Sequence, residues 1–130
     1  MSSDQKRVLI VEDEAMISML IEDMVIDFGC RVVGPAARLD HALTLALQAE
    51  IDVALLDINV DGSVVYPVAD VLRFRGIPFI FATGYDFRTL PQRFKGSPTL
   101  SKPFSYQTFA NTLGSVLMDF CENPLIASVD

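Results

Sequence analysis

The feature that most constrains this chain is an alternation. Short runs of β-favouring apolar residues recur five times, and a stretch of helical spacing or a weak remnant of one follows each. The strand-like runs are Arg7 to Val11, Arg31 to Val33, Asp52 to Leu56, Pro78 to Ala82 and Thr99 to Ser101. A helix is expected from about Glu14 to Phe28, with Ile17, Leu20, Ile21, Met24 and Phe28 on one face and Gly29 at its end. After Gly34 and Pro35, the spacing of Leu39, Ala42, Leu43 and Ala46 marks a second helix that starts in the Ala37 to Asp40 region. A third spans Val65 to Phe74 and closes at Gly76, and the last spans Tyr106 to Phe120. Only the fourth is weak: residues 84–98 contain two glycines and two prolines, and Phe87, Leu90 and Phe94 offer one or two helical turns. A short or mobile helix is expected there. Strands apolar on both faces that alternate with helices require a parallel sheet covered on both sides, a doubly wound α/β arrangement.

Seventeen acidic against ten basic residues, a net charge of −7, argue against a phosphate-backbone partner, so nucleic acid is not expected as a direct ligand. The polar start, Met1 to Lys6, and the lack of an apolar run near 20 residues predict neither signal peptide nor membrane span, hence a cytoplasmic protein. With 51% hydrophobic residues in 130, one compact domain is expected, over residues 6–121, with a short tail over 122–130 and no output domain. Cys30 and Cys121 lack zinc-site spacing and read as ordinary reduced thiols; His41 stands alone.

In a doubly wound sheet, ligands bind beyond the carboxyl ends of the strands, where the strand order reverses. The residues there are Glu12, Asp13 and Glu14 after the first strand, Asp57 after the third, Thr83 after the fourth and Lys102 after the fifth. Singly, each has a structural explanation: an acidic helix start, a turn or cap, a solvated loop cation. Together they describe a pocket. Carboxylates crowded there must protonate or bind a cation, and an all-oxygen site suits Mg²⁺. A metal beside Asp57 would let that carboxylate accept a phosphoryl group as nucleophile, with Thr83 and Lys102 on its other oxygens.

The segments VLIVEDE (Val8 to Glu14), ALLDINVDG (Ala54 to Gly62), FATGY (Phe81 to Tyr85) and LSKPF (Leu100 to Phe104) resemble, in order and spacing, the receiver domains of bacterial two-component response regulators. The resemblance covers about Arg7 to Phe120 and implies a flavodoxin-like sheet of order 2-1-3-4-5. It further implies that Asp57 is the phosphoacceptor, and that Asp13 and Asp57 contact Mg²⁺ (or Mn²⁺) by side chains and Asn59 by its backbone carbonyl. Glu12 would help through water, and Thr83 and Lys102 would hold phosphoryl oxygens. A cis bond before Pro103 is usual in the family. PFIFATGY, Pro78 to Tyr85, is similar to the subgroup named for its Phe-Ala-Thr-Gly motif, which implies a histidine kinase of the HWE type as partner. Two departures from the mainstream pattern fit that subgroup: no Met-Pro follows in the loop after Asp57, and Thr99 stands where many receivers carry a switching Tyr or Phe. Tyr85 either replaces that aromatic or is a plain loop residue.

With no output domain expected, output would run through binding. Phosphorylation would draw Thr83 and Lys102 inward, reorder residues 84–98, and change a partner face made of the fourth helix, fifth strand and fifth helix; Phe87, Phe94, Phe104 and Tyr106 are candidates on it. A phosphate sink for a shared kinase, or an interaction domain that is never phosphorylated, are the competing readings. A phosphatase with an aspartyl intermediate ranks last, because Asn59 stands where a second catalytic acid is needed; the chain is read as a regulator and not an enzyme.

Overall fold

The computed structural model describes residues 5–84 and 87–129, with side chains described up to residue 118. Its strands are β1 (Arg7–Val11), β2 (Arg31–Ala36), β3 (Val53–Asp57), β4 (Asn59–Val60), β5 (Ser63–Val64), β6 (Phe79–Thr83) and β7 (Thr99–Ser101). β4 and β5 form a small antiparallel hairpin, and the other five make one parallel sheet in the order β2-β1-β3-β6-β7. β6 and β7 are the expected fourth and fifth strands, so the sheet has the expected order 2-1-3-4-5. The helices are α1 (Ala15–Asp27), α2 (Leu39–Gln48), α3 (Tyr66–Phe74) and α4 (Tyr106–Val129).

Side chains alternate across each strand, and that period of two builds two cores. Leu9, Val11, Ala54, Leu56, Phe79 and Phe81 face α2 and α3, where Ala42, Ala46, Val68, Ala69 and Leu72 are buried. Val8, Ile10, Val53, Leu55, Ile80 and Ala82 face α1 and α4, against Ile21, Val25, Phe109 and Leu113. Among the described residues no helix is long and apolar enough to cross a membrane.

Several expectations need correction. β2 does not stop at Val33 but continues through Gly34 and Pro35 to Ala36. Gly34 has φ +92, its bond to Pro35 is cis, and the register with β1 shifts between Leu9 and Val11, so an irregularity on this edge strand takes in both residues. Leu20 is exposed; α1 buries Ser18, Ile21 and Val25, a stripe rotated from the one drawn through the largest side chains. The weak fourth helix is two 3-10 turns, Phe87–Thr89 and Gln92–Phe94. Phe94 is fully buried against Tyr66, Phe79 and Phe81, with ring centroids 5.4–5.8 Å apart, and so belongs to the core and not to an exposed face. α4 continues beyond its expected end at Phe120 to Val129, with Pro124 inside it.

Candidate functional site

Register brings the predicted residues together. Val11 lies beside Leu56, Asp57 beside Ala82 and Thr83 beside Ser101, so Glu12, Asp57, Thr83 and Lys102 all fall at one edge of the sheet. One oxygen from each of Glu12, Asp13 and Asp57 lies within 4.8 Å of the other two. Asp57, as the last residue of β3, is buried; Asp13, in the loop after β1, is exposed. Thr83 is buried at the end of β6, where its carbonyl accepts the Lys102 N–H at 3.0 Å. The Lys102–Pro103 bond is cis, as the family resemblance implies.

The Lys102 ammonium reaches two carboxylates at once, Glu12 Oε1 at 2.5 Å and Asp57 Oδ2 at 3.0 Å. Glu12 Oε2 accepts the backbone N–H of Glu14 at 3.1 Å. Burial raises the Glu12 carboxyl above its usual range, and the Lys102 hydrogen bond opposes that rise only in part. For Lys102, burial pulls the ammonium down, but the bonds to Glu12 and Asp57 outweigh it and the net shift is upward. The arrangement is a cation held between two acids and beside a third, with Asp57 lining an open cavity of about 770 Å³. Asp13, Asn59, Thr83 and Lys102 line the same cavity, whose outer wall is apolar through Ile17, Leu20, Met24 and Phe104.

The three acids, with oxygens close enough for one cation and, among the described residues, no second ammonium bonded to them, fit a hard divalent ion with oxygen ligands. One contributor went unpredicted. The Asp61 N–H donates to Asp13 Oδ2 at 2.8 Å, so the β4–β5 turn fixes the exposed acid. That turn has positive φ at both Asp61 (+51) and Gly62 (+81), the geometry of a two-residue hairpin, for which the Asp61–Gly62 dipeptide, flanked by Asn59–Val60 and Ser63–Val64, is the available sequence signal. Of the proposed docking aromatics, Phe87 and Phe104 are half-buried and pack on the two cores, while Tyr106 is 40% exposed. Tyr85 lies outside the described residues, as does the side chain of Cys121; Cys30 is buried and unpaired in any disulfide, and burial pushes its thiol up.

No protein-family model matches the chain. The solution structure of SdrG from Sphingomonas melonis Fr1 is 38% identical, with a TM-score of 0.77 over 87% of this chain and 97% of that one. The REC domain of the response regulator PhyR from Erythrobacter litoralis is 32% identical, with a TM-score of 0.79 over 91% of this chain and 94% of that one. Among curated proteins, the transcriptional regulatory protein PdtaR of Mycobacterium tuberculosis is 30% identical over 106 residues, 77% of this chain. The chain spans about half the length, 51%, of the curated relatives it matches.

Proposed function

This chain belongs to the family of response-regulator receiver domains, and from that premise we propose that it accepts a phosphoryl group from a histidine kinase onto Asp57 and signals through altered protein binding. The observation that carries the reading is the placement of Asp57: a buried carboxylate at a strand end, tied to an ammonium on one oxygen, beside two further acids and open to a cavity.

In the transfer, a carboxylate oxygen of Asp57 attacks phosphorus, the bond from phosphorus to the kinase imidazole nitrogen breaks, and that nitrogen keeps the electron pair. Glu12, Asp13 and Asp57, with the Asn59 carbonyl, would hold Mg²⁺ or Mn²⁺, which when bound supplies positive charge against the phosphoryl oxygens. Lys102 already sits 3.0 Å from Asp57 Oδ2 and exchanges a carboxylate for a phosphoryl oxygen, and Thr83 lines the same cavity as a hydroxyl donor. The phosphoryl group adds about two negative charges and draws both residues toward it, which displaces the segment from Gly84 to Pro98 that follows Thr83. The Phe-Ala-Thr-Gly run, Phe81 to Gly84, supports an HWE-type kinase as donor, and the partner face comprises residues 87–98, β7 and α4. The chain acts as a cytoplasmic regulator and has no turnover of its own beyond self-phosphorylation and loss of the phosphoryl group.

The test is intact-protein mass after incubation with acetyl phosphate, with and without Mg²⁺, for the wild type and Asp57→Asn. A Mg²⁺-dependent gain of one phosphoryl mass, absent in Asp57→Asn, is expected. No gain in either condition, with an HWE-type kinase also tried as donor, refutes the reading in favour of an interaction domain that is not phosphorylated.

A further inference from the structure

Residues 73–98 concentrate positive charge on a chain of net charge −7: they hold Arg73, Arg75, Arg88, Arg93 and Lys95, five of the ten basic residues, against one acid, Asp86. α3 ends at Phe74 just before β6, and the turn Gln92–Phe94 precedes β7. Both segments therefore lie at the amino-terminal ends of β6 and β7, at the opposite edge of the sheet from Asp57, Thr83 and Lys102. There Arg73, Phe79, Lys95 and Gly96 line a second cavity of about 370 Å³.

Arg73, Arg75 and Lys95 are exposed, and their side chains donate to backbone carbonyls, those of Arg93, Ala46 and Arg88. Among the described residues none of the three meets a carboxylate, whereas Arg93 is paired with Asp70 through two bonds of 3.0 Å. A carbonyl orients a cation without cancelling its charge. The Arg73 guanidinium is fixed further by its position 4.9 Å from the Phe94 ring centroid. Beside them Phe74 is 93% exposed, the most exposed large hydrophobic among the described residues. The negative end of the α3 dipole accounts for Arg73 and Arg75, but for neither Lys95, on a different segment, nor Phe74.

We propose that this end of the sheet is a docking surface for an acidic segment of a partner protein, with carboxylates meeting Arg73, Arg75 and Lys95 and an apolar residue covering Phe74. A nucleic acid is disfavoured because the rest of the chain repels a polyanionic backbone along its length. A second copy is disfavoured because its acidic edge lies at the other end of the sheet, so the contact would be head-to-tail, the class that tends to grow into open filaments. Arg73, Phe74 and Arg75 lie outside the segment from Gly84 to Pro98, whereas Lys95 lies within it, so the Lys95 side of the surface rests on the proposed function and shifts if a phosphoryl group at Asp57 displaces that segment.

The experiment is an NMR titration of the full chain with a synthetic peptide of about ten glutamates around a central leucine, compared with a single-stranded oligonucleotide of equal charge. The proposal expects peptide-induced shifts confined to residues 73–79 and 93–98. Binding should weaken about fivefold or more in Arg75→Gln/Lys95→Gln and fade as salt rises from about 0.05 M to about 0.5 M. Phe74→Ser should weaken it as well. Circular dichroism and acceptance of phosphate from acetyl phosphate, both unchanged in these exposed variants, separate lost docking from lost folding. Shifts elsewhere, no binding at low salt, tighter binding of the oligonucleotide, or self-association through the same residues would each overturn the proposal.

Discussion

Replacing Lys102 by methionine isolates the electrostatics of the acidic edge. In the wild type one ammonium lies 2.5 Å from Glu12 and 3.0 Å from Asp57, and the acid oxygens lie within 4.8 Å of one another. Two unit charges at that 4.8 Å limit repel by about 3 kcal/mol at an effective dielectric constant of about 20. Removing one partner of a buried ionic cluster costs about 3–5 kcal/mol, so Lys102→Met should destabilise the protein by about 2–4 kcal/mol near neutral pH. For a chain of this size that is a fall in Tm of about 10 °C. The pH dependence has a definite sign. Burial already raises the Glu12 carboxyl, and without Lys102 it rises further. A carboxyl raised on folding contributes stability that is present below its unfolded pKa and lost as pH climbs through the folded one. The defect should therefore be small near pH 4 and full near pH 8. Millimolar Mg²⁺ should restore part of it at pH 8, since a divalent cation compensates the same carboxylates. Urea unfolding followed by circular dichroism at both pH values, with and without Mg²⁺, measures all of this. An equal loss of stability at both pH values, unaffected by Mg²⁺, would refute the account of Lys102 as the counter-ion of this cluster.

Other substitutions probe particular contacts. Phe94→Ala should cost about 3–5 kcal/mol in chemical denaturation, because the ring is fully buried among Tyr66, Phe79 and Phe81 and lies beside the Arg73 and Arg93 guanidinium groups; a loss under about 1 kcal/mol would remove it from the core. Gly34→Ala should be destabilising by more than about 2 kcal/mol, since φ is +92 and an added Cβ would meet the Ala36 nitrogen at 2.9 Å. Thermal unfolding checks this. Gly62→Ala has open space around its Cβ but a φ of +81, so about 1 kcal/mol of strain falls on the turn whose Asp61 N–H holds Asp13. Isothermal titration should show Mg²⁺ affinity reduced about threefold, and an unchanged affinity would separate the hairpin from the metal site.

The sheet is legible in the sequence because its signal is repeated: the central strands β1, β3 and β6 are apolar on both faces and the helices between strands return a 3.6-residue stripe, so an error of a residue or two at a boundary does not alter the order. β2 was read short because Gly34 and Pro35 are ordinarily stop signals, and nothing local reveals that an edge strand absorbs them in an irregularity. The α1 stripe was misdrawn because Leu20 outranks Ser18 in hydrophobicity, while burial is decided by which side of the helix meets β1, β2 and α4. Phe94 shows the same limit. Its segment is too rich in glycine and proline to announce a core position, and only the pairing of β6 with β7 carries it under Tyr66 and Arg73.

The site residues were legible for a different reason: topology alone requires the residues after β1, β3, β6 and β7 to meet, so their chemistry could be read without knowing a single distance. Their mutual bonds could not. Lys102 was assigned to phosphoryl oxygens, yet it lies between Glu12 and Asp57, and the consequence is mechanistic. In the proposed transfer the ammonium compensates the Asp57 carboxylate before any phosphoryl group arrives, and it would have to pass from a carboxylate to the incoming oxygens. The same positive charge that steadies the buried acids thus competes with a divalent cation for them. A variant lacking it should bind Mg²⁺ more tightly while holding a phosphoryl group less well.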